Sequence, residues 1–308
     1  MSMPLFSRAV VPYSRLELPG WGRVLRAAGV YQDDKWSGAP TRVIRGKLHG
    51  YTMRLSLESW SERQTYFLGR YYDLPSQAYI SGCLKPGDTF IDIGGNIGMM
   101  TLLGSHAVGP TGRVHMFEPN PAAGARAQRT LDENGITNVT LHPMGLSDAP
   151  AELTLSVVSK HSGLGTFAPV RSFEAKYVSV RHIARVVRGD DVLPPQLAGD
   201  VTIKIDVEGF ECRALRGLSA TLAKYRPAVV GEVIEKHLIR AGSSGQELLD
   251  LMAEHGYQGY RLSIRRKLGR QRLSLIPITR AEQVNSNNVA WLYPGTVQSD
   301  RLGPSIDA

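Results

Sequence analysis

The sequence has little cysteine: only Cys83 and Cys212 in 308 residues, far apart and matching no metal-ligand spacing. That scarcity excludes a disulfide-stapled scaffold and makes a reducing cytoplasm the expected compartment. No apolar run reaches the length of a membrane span before charge or proline interrupts it. The first residues, Met1 to Arg8, lack the long apolar segment of a signal peptide. There is no internal repeat and no low-complexity tract. An acidic excess is also missing, since 36 Lys and Arg stand against 28 Asp and Glu, for a formal net charge of +8. That balance suits an anionic substrate, a nucleic acid or a membrane surface, and equally a protein that is merely basic. A hydrophobic share of 42% excludes global disorder.

What is present begins with an N-terminal segment over residues 1–75. Its first fifty residues are rich in Pro, Gly and Arg and form an arm, and a helix is expected over 58–71. A main domain is expected over 76–296 and a tail over 297–308. In the main domain apolar runs predict strands at 89–93, 113–117, 139–144, 201–206, 228–234, 257–263 and 287–293. Helices are expected at 77–84, 97–107, 121–134, 210–225 and 244–255. Strands joined by crossover helices predict an α/β fold with a mostly parallel sheet. The last two strands are joined by 265–286 without a helical pattern, which predicts an antiparallel strand at one edge. Between the third and fourth strands, 151–199 carries two more strand-like runs, Glu152–Val157 and Tyr177–Val180. They read as an inserted hairpin around a loop at Lys160–Gly165.

The run Phe90-Ile91-Asp92-Ile93-Gly94-Gly95-Asn96-Ile97-Gly98 ends an apolar strand in an acid and a glycine-rich turn. A second strand ends in Phe117-Glu118-Pro119-Asn120, where a doubly wound fold places its ribose-binding acid. A dinucleotide loop reads G-x-G-x-x-G; counting from Gly94, Asn96 and Met99 occupy its second and third glycine positions. The acid followed by G-G-N-x-G instead resembles motif I of class I methyltransferases. Their cofactor, S-adenosylmethionine, carries an ammonium that Asp92 is expected to help hold, and a ribose whose hydroxyls fit Glu118. Gly94, Gly95, Asn96, Gly98 and Asn120 complete the expected cofactor turn. Ser147 and Asp148, after the third strand, fit the position that contacts the adenine.

The run Lys204-Ile205-Asp206-Val207-Glu208-Gly209 ends the fourth strand of the domain. Together with Asp92–Gly98, Phe117–Asn120 and Gly145–Asp148 it resembles the FkbM family of S-adenosylmethionine-dependent methyltransferases. Ser61-Glu62-Arg63, Gly69-Arg70-Tyr71 and Asn288-Val289 match as weaker flanking features. The resemblance covers about residues 60–293 and implies a class I methyltransferase Rossmann-like sheet. It also implies methylation of a hydroxyl on a sugar, glycolipid or natural product. The first fifty residues and the basic run Arg265–Arg272 have no counterpart in it.

Methyl transfer is an in-line displacement, for which alignment supplies up to roughly 7–11 kcal/mol. A hydroxyl becomes a good nucleophile when a base or a metal takes or weakens its proton. Asp206, Glu208 and Glu232 are therefore the expected catalytic carboxylates, with Asp206 favoured as base. Two of them holding a divalent metal is the competing assignment, and its ligands are unknown. Residues two apart in a strand share a face, which places Lys204 near Asp206. His161 and His237 are further candidates. The alternative function is a nucleic-acid methyltransferase. Against it, the basic run lacks interleaved aromatics, and no Asn-Pro-Pro-Tyr or Asp-Pro-Pro-Tyr motif follows strand four. Homo-oligomerisation is left open.

Overall fold

The computed structural model describes residues 5–158, 165–170, 178–267, 270–278, 280 and 287–302. His161 and most of the Lys160–Gly165 loop lie outside them, as do two positions of the basic run and the end of the tail.

The chain opens with helices α1 (Leu5–Arg15) and α2 (Trp21–Ala27) and a hairpin of β1 (Thr41–Arg45) and β2 (Thr52–Ser56). Helices α3 (Trp60–Leu68) and α4 (Leu74–Cys83) follow. The first three helices share an apolar cluster built on Val10, Leu25, Trp36, Phe67 and Leu68. The arm is thus folded, which its composition did not suggest.

The central sheet begins with β3 (Thr89–Ile93), α5 (Met99–Val108), β4 (Arg113–Phe117), α6 (Pro121–Glu133) and β5 (Val139–His142). A small sheet is inserted next, from β6 (Gly145–Leu146), β7 (Ala151–Val158), β8 (Gly165–Thr166) and β9 (Val178–Val187). The chain returns through β10 (Val201–Ile205), α7 (Glu211–Arg216), α8 (Ser219–Tyr225), β11 (Ala228–Val233), α9 (Glu235–Arg240) and α10 (Gly245–Glu254). It ends with β12 (Gln258–Lys267), β13 (Arg270–Pro277), β14 (Asn287–Leu292) and α11 (Val297–Leu302).

The strand order of the large sheet is β13-β12-β14-β11-β10-β3-β4-β5. The five strands from β11 to β5 are parallel to one another, as expected for crossover connections. Every residue of β3 and β10 is buried, the pattern of strands covered on both faces. Ile91, Ile203 and Val229 feed one core, and Phe90, Val114 and Val230 feed the other.

The antiparallel edge is larger than expected. β14 pairs antiparallel with β11, β12 pairs with β14, and β13 adds an outermost strand from the segment that shows no helical pattern. The insert is also more than a hairpin. β7 and β9 pair antiparallel over most of their length, with β8 beside β7 and β6 parallel to β9. The expected helix over 210–225 is two helices, broken after Arg216.

The chain order reverses between β3 and β10, where β4 and β5 run to one side and β11 to the other. In an open α/β sheet, ligands bind beyond the carboxyl ends of the strands at this switch point. Both informative sequence runs, Gly94–Gly98 and Asp206–Gly209, leave the sheet there.

Candidate active site

Register brings the two runs together. Ile93 pairs with Ile205, so the turn after β3 and the turn after β10 leave side by side. The Asp206 N–H donates to the Ile93 carbonyl at 3.1 Å. Gly94 has φ 75°, and a Cβ there would lie 2.0 Å from the Asp206 carbonyl oxygen. Any other residue would force the two turns apart. Lys204 Nζ closes the seam by donating to the Gly94 carbonyl at 2.8 Å.

A cavity of about 320 Å³ opens above the seam, and its wall includes Gly94, Gly95, Asn96, Glu118, Asn120, Lys204, Asp206, Glu208 and Glu232. A second space of about 200 Å³ adjoins it, sharing Tyr71, Tyr72, Met100, Lys204, Asp206 and Glu232, and adding Asp73, Ser76 and Asn288.

On one side Glu118 is 7% exposed and holds the glycine turn. Its Oε2 accepts the Asn96 N–H and its Oε1 the Asn120 N–H, each at 2.7 Å. Burial pushes its pKa up to about 7, against the pull of those two N–H groups. Each oxygen keeps a second lone pair for a ligand hydroxyl. The Asn96 side-chain oxygen, on the same wall, has no hydrogen-bond partner among the described residues. Asn120 also caps α6, accepting the Ala122 N–H at 3.1 Å. This set fits the ribose end of S-adenosylmethionine.

Four residues expected around the cofactor do not line the cavity. Asp92 is fully buried and off the cavity wall, where its Oδ2 accepts the Thr101 hydroxyl at 2.6 Å. Its other oxygen lies 3.4 Å from Lys204 Nζ, because the parallel register sets Lys204 directly beside it. Asp92 therefore neutralises a lysine of the neighbouring strand. Gly98, with φ 85°, starts α5 behind the wall. Ser147 is 2% exposed and donates to Asp148 at 2.9 Å, and neither residue lines the cavity.

On the other side the carboxylates converge. The Asp206 side chain keeps a third of its surface and lies 3.8 Å from Lys204 Nζ. Burial pushes Asp206 up to about 6, with Lys204 opposing and Glu208, Asp73 and Asp92 adding to the rise. Burial pulls Lys204 down, but Asp92 and Asp206 outweigh it and hold the ammonium above its ordinary value. Glu232, on β11, is pushed up to about 8 by burial in the cleft and then by Asp206, Glu208 and Asp73.

Glu208 stands in the left-handed region at φ 52° and contacts His237 Nδ1 through its Oε2 at 2.6 Å. The next residue must be glycine. Gly209 has φ 108°, and a Cβ there would lie 2.3 Å from the His237 carbonyl oxygen. His237 lines the cavity from α9, a helix that the sequence reading did not place. Under the turn, buried Glu211 accepts the Gly209 N–H at 3.2 Å, and burial lifts its pKa to about 7.

The remaining wall is aromatic and comes from elements that lie far apart in sequence. Trp60 at the start of α3 meets Tyr72 edge-on, with ring centroids 4.7 Å apart. Tyr71 and Tyr72 are raised by burial, and the Asp206 charge adds to the rise in both. Leu155 and Phe167 reach in from the inserted sheet. Among the described residues no three His, Cys, Asp or Glu side chains are grouped to hold a metal ion. No helix among them is long and apolar enough to cross a membrane.

Residues 92–258 match the methyltransferase FkbM domain. Methyltransferase 1 of Beauveria bassiana (strain ARSEF 2860) is 34% identical over 149 residues, which are 43% of this chain and 59% of that protein. The chain thus spans under two thirds of that relative. The 31-O-demethyl-FK506 methyltransferase FkbM of Streptomyces tacrolimicus is 31% identical over 198 residues, 56% of this chain and 74% of that one. Among solved structures, methyltransferase FkbM from Methylobacillus flagellatus KT superposes with a TM-score of 0.40 at 15% identity. The superposition covers 88% of this chain and 60% of that one.

Proposed function

The chain belongs to the FkbM family of S-adenosylmethionine-dependent methyltransferases, and we propose that it methylates a hydroxyl oxygen of a sugar, glycolipid or natural product. The observation that carries this reading is the seam of β3 and β10. It holds Asp206, a carboxylate suited to proton abstraction, beside the glycine turn whose Asn96 N–H bonds Glu118, the ribose-type acid after β4, and both acids line one cavity. The Streptomyces relative is named for a substrate that lacks an O-methyl group, which agrees with oxygen as the acceptor atom.

The bound cofactor supplies an electrophilic sulfonium methyl, and the chain's residues do the rest. Glu118 and Asn96 hold the ribose end through charge-assisted and neutral hydrogen bonds. Asp206, with a pKa of about 6, is ionised at neutral pH and accepts the proton of the acceptor hydroxyl as that oxygen attacks. Lys204 stays charged beside it and limits the repulsion from nearby acids. Glu232, raised to about 8, is largely protonated at neutral pH and donates a hydrogen bond to a second acceptor oxygen. Two carboxyls pushed apart in pKa are thereby suited to opposite tasks. Glu208 fixes His237 through Nδ1 and leaves Nε2 to face the acceptor. Trp60, Tyr71, Tyr72 and Phe167 exclude water from the reacting atoms.

The carboxylates also weigh against the nucleic-acid alternative. Asp206 and Glu208 line the cavity, where a phosphate backbone would be repelled.

The test combines calorimetry with transfer of labelled methyl into glycan and small-molecule fractions. S-adenosylmethionine should bind and NAD should not. Asp206→Asn should keep the cofactor Kd within about twofold and lower transfer by roughly 10²–10⁴. Full activity in that variant would remove Asp206 as base. Activity lost to a chelator and restored by magnesium would replace the base role with a metal role.

A further inference from the structure

We infer that the N-terminal arm is a working part of the acceptor site, and that Glu17 and Arg70 are positioning residues which set its Tyr71–Tyr72 wall. This rests on the reading of the cleft given above.

The argument begins at the carboxyl end of α3. The last carbonyls of any helix lack partners within it, and α3 ends at Leu68 just before the chain enters the cavity wall. The arm satisfies those carbonyls. The Ser14 hydroxyl donates to the Phe67 carbonyl at 2.6 Å. Arg15 donates from Nε and Nη2 to the Tyr66 carbonyl at 3.3 and 3.1 Å, and its guanidinium lies over the Tyr66 ring. A cation at this end of a helix is also favoured by the helix dipole. The Lys47 N–H, from the β1–β2 turn, donates to the Gly69 carbonyl at 2.8 Å.

Arg70 carries the connection into the wall. It is 3% exposed and offers its planar fork in two directions. Nε and Nη2 donate to the two carboxylate oxygens of Glu17 at 2.8 and 2.9 Å. Nη1 donates to the Tyr71 carbonyl at 2.7 Å and the Tyr72 carbonyl at 3.2 Å. One side chain therefore ties the arm to both aromatic residues facing Asp206.

Glu17 is the other half of the clamp. It stands in the left-handed region at φ 50°, a conformation that a glutamate adopts only when its surroundings hold it there. Lys47 Nζ and Gln271 Nε2 also donate to its carboxylate. The network thus joins the arm, the hairpin, the wall and the outermost sheet strand. Burial raises the Glu17 pKa, but the hydrogen bonds of Arg70, Lys47 and Gln271 more than reverse this and hold it near 2. Glu17 lies outside both the matched family domain, residues 92–258, and the wider resemblance, whereas Arg70 belongs to its flanking features.

Hydrogen–deuterium exchange on the full chain tests the clamp, alongside calorimetry with S-adenosylmethionine and the near-ultraviolet circular dichroism of Trp60 against a Trp60→Phe blank. In Glu17→Gln, exchange over residues 69–74 should rise at least tenfold and the Trp60 signal should weaken. Exchange over β10 and the cofactor Kd should stay within twofold. Arg70→Lys keeps a charge for Glu17 but loses the fork. It should loosen 69–74 equally while residues 5–18 stay protected. The inference is overturned if 69–74 is unchanged in both variants, or if the loosening spreads to β10. A wild-type chain that fails to bind S-adenosylmethionine overturns the functional reading instead, and this inference with it.

Discussion

Glu118→Gln should separate stability from cofactor affinity, because the same carboxylate is costly to the empty fold and useful to the ligand. Burial lifts its pKa from 4.5 to about 7. The folded state therefore binds that proton more tightly than the unfolded state. The resulting penalty is absent below pH 4.5, grows as pH rises, and is complete above 7. At about 1.4 kcal/mol per pH unit, it amounts to about 3 kcal/mol at pH 8. Glutamine removes it but turns an amide donor toward the N–H of Asn96 or Asn120, at a cost of roughly 1–3 kcal/mol. The two terms nearly cancel, and the melting temperature at pH 8 should hardly fall. Binding of S-adenosylmethionine loses a charge-assisted bond worth roughly 1.5–3 kcal/mol, which is about 10- to 100-fold in Kd. Wild-type affinity should be flat above pH 8 and should weaken toward tenfold per unit below pH 7. The variant should lack that slope. Calorimetry from pH 5.5 to 8.5 and melting curves with and without cofactor measure both effects. A wild-type Kd that ignores pH, or a variant that binds as tightly, would refute the assignment of Glu118.

Lys204→Met strands the buried Asp92 carboxylate and should cost about 3–5 kcal/mol by denaturant unfolding. Adding Asp92→Asn should recover much of that loss. Gly209→Ala should cost about 1–3 kcal/mol in the same assay, since its Cβ would meet the His237 carbonyl and its φ is 108°. Methyl transfer by the wild type should rise as pH passes about 6 and decline as it passes about 8. Because the carboxyls are close, these limbs belong to the set; Glu232→Gln should abolish the alkaline limb and keep the acid one.

The parallel half of the sheet was legible because β3, β4, β10 and β11 are short apolar runs, and the two that matter most end in acids beside glycine. Glu118, Asp206, Glu208 and Glu232 were readable for the same reason, since a strand end fixes where its next residue stands. Lys204 was placed by the two-residue period alone, and it does lie beside Asp206. The ion pair of Asp92 with Lys204 was not legible, because only the register with β10 sets the two side by side. The contact of Ser147 with Asp148 was not legible, because it depends on how the insert leaves the sheet. The β1–β2 hairpin escaped notice because each strand is five residues long and only Ile44, Met53 and Leu55 are buried apolar residues in it. The aromatic wall could not be read at all, since Trp60, Tyr72 and Phe167 meet only in three dimensions.

The missing side chain of Gly94 has a mechanical consequence. With the Asp206 carbonyl lodged against it, and with Ile93 and Lys204 bonding across the seam, the turns after β3 and β10 form one solid piece. The separation between the glycine turn and Asp206 is then a fixed dimension of the frame, like the gap of a calliper locked at one setting. On the reading proposed above, substrates are brought to that gap by the parts bolted on around it, the inserted sheet and the N-terminal arm. Those attachments can be exchanged or reshaped to accept a different molecule while the gap itself keeps its width.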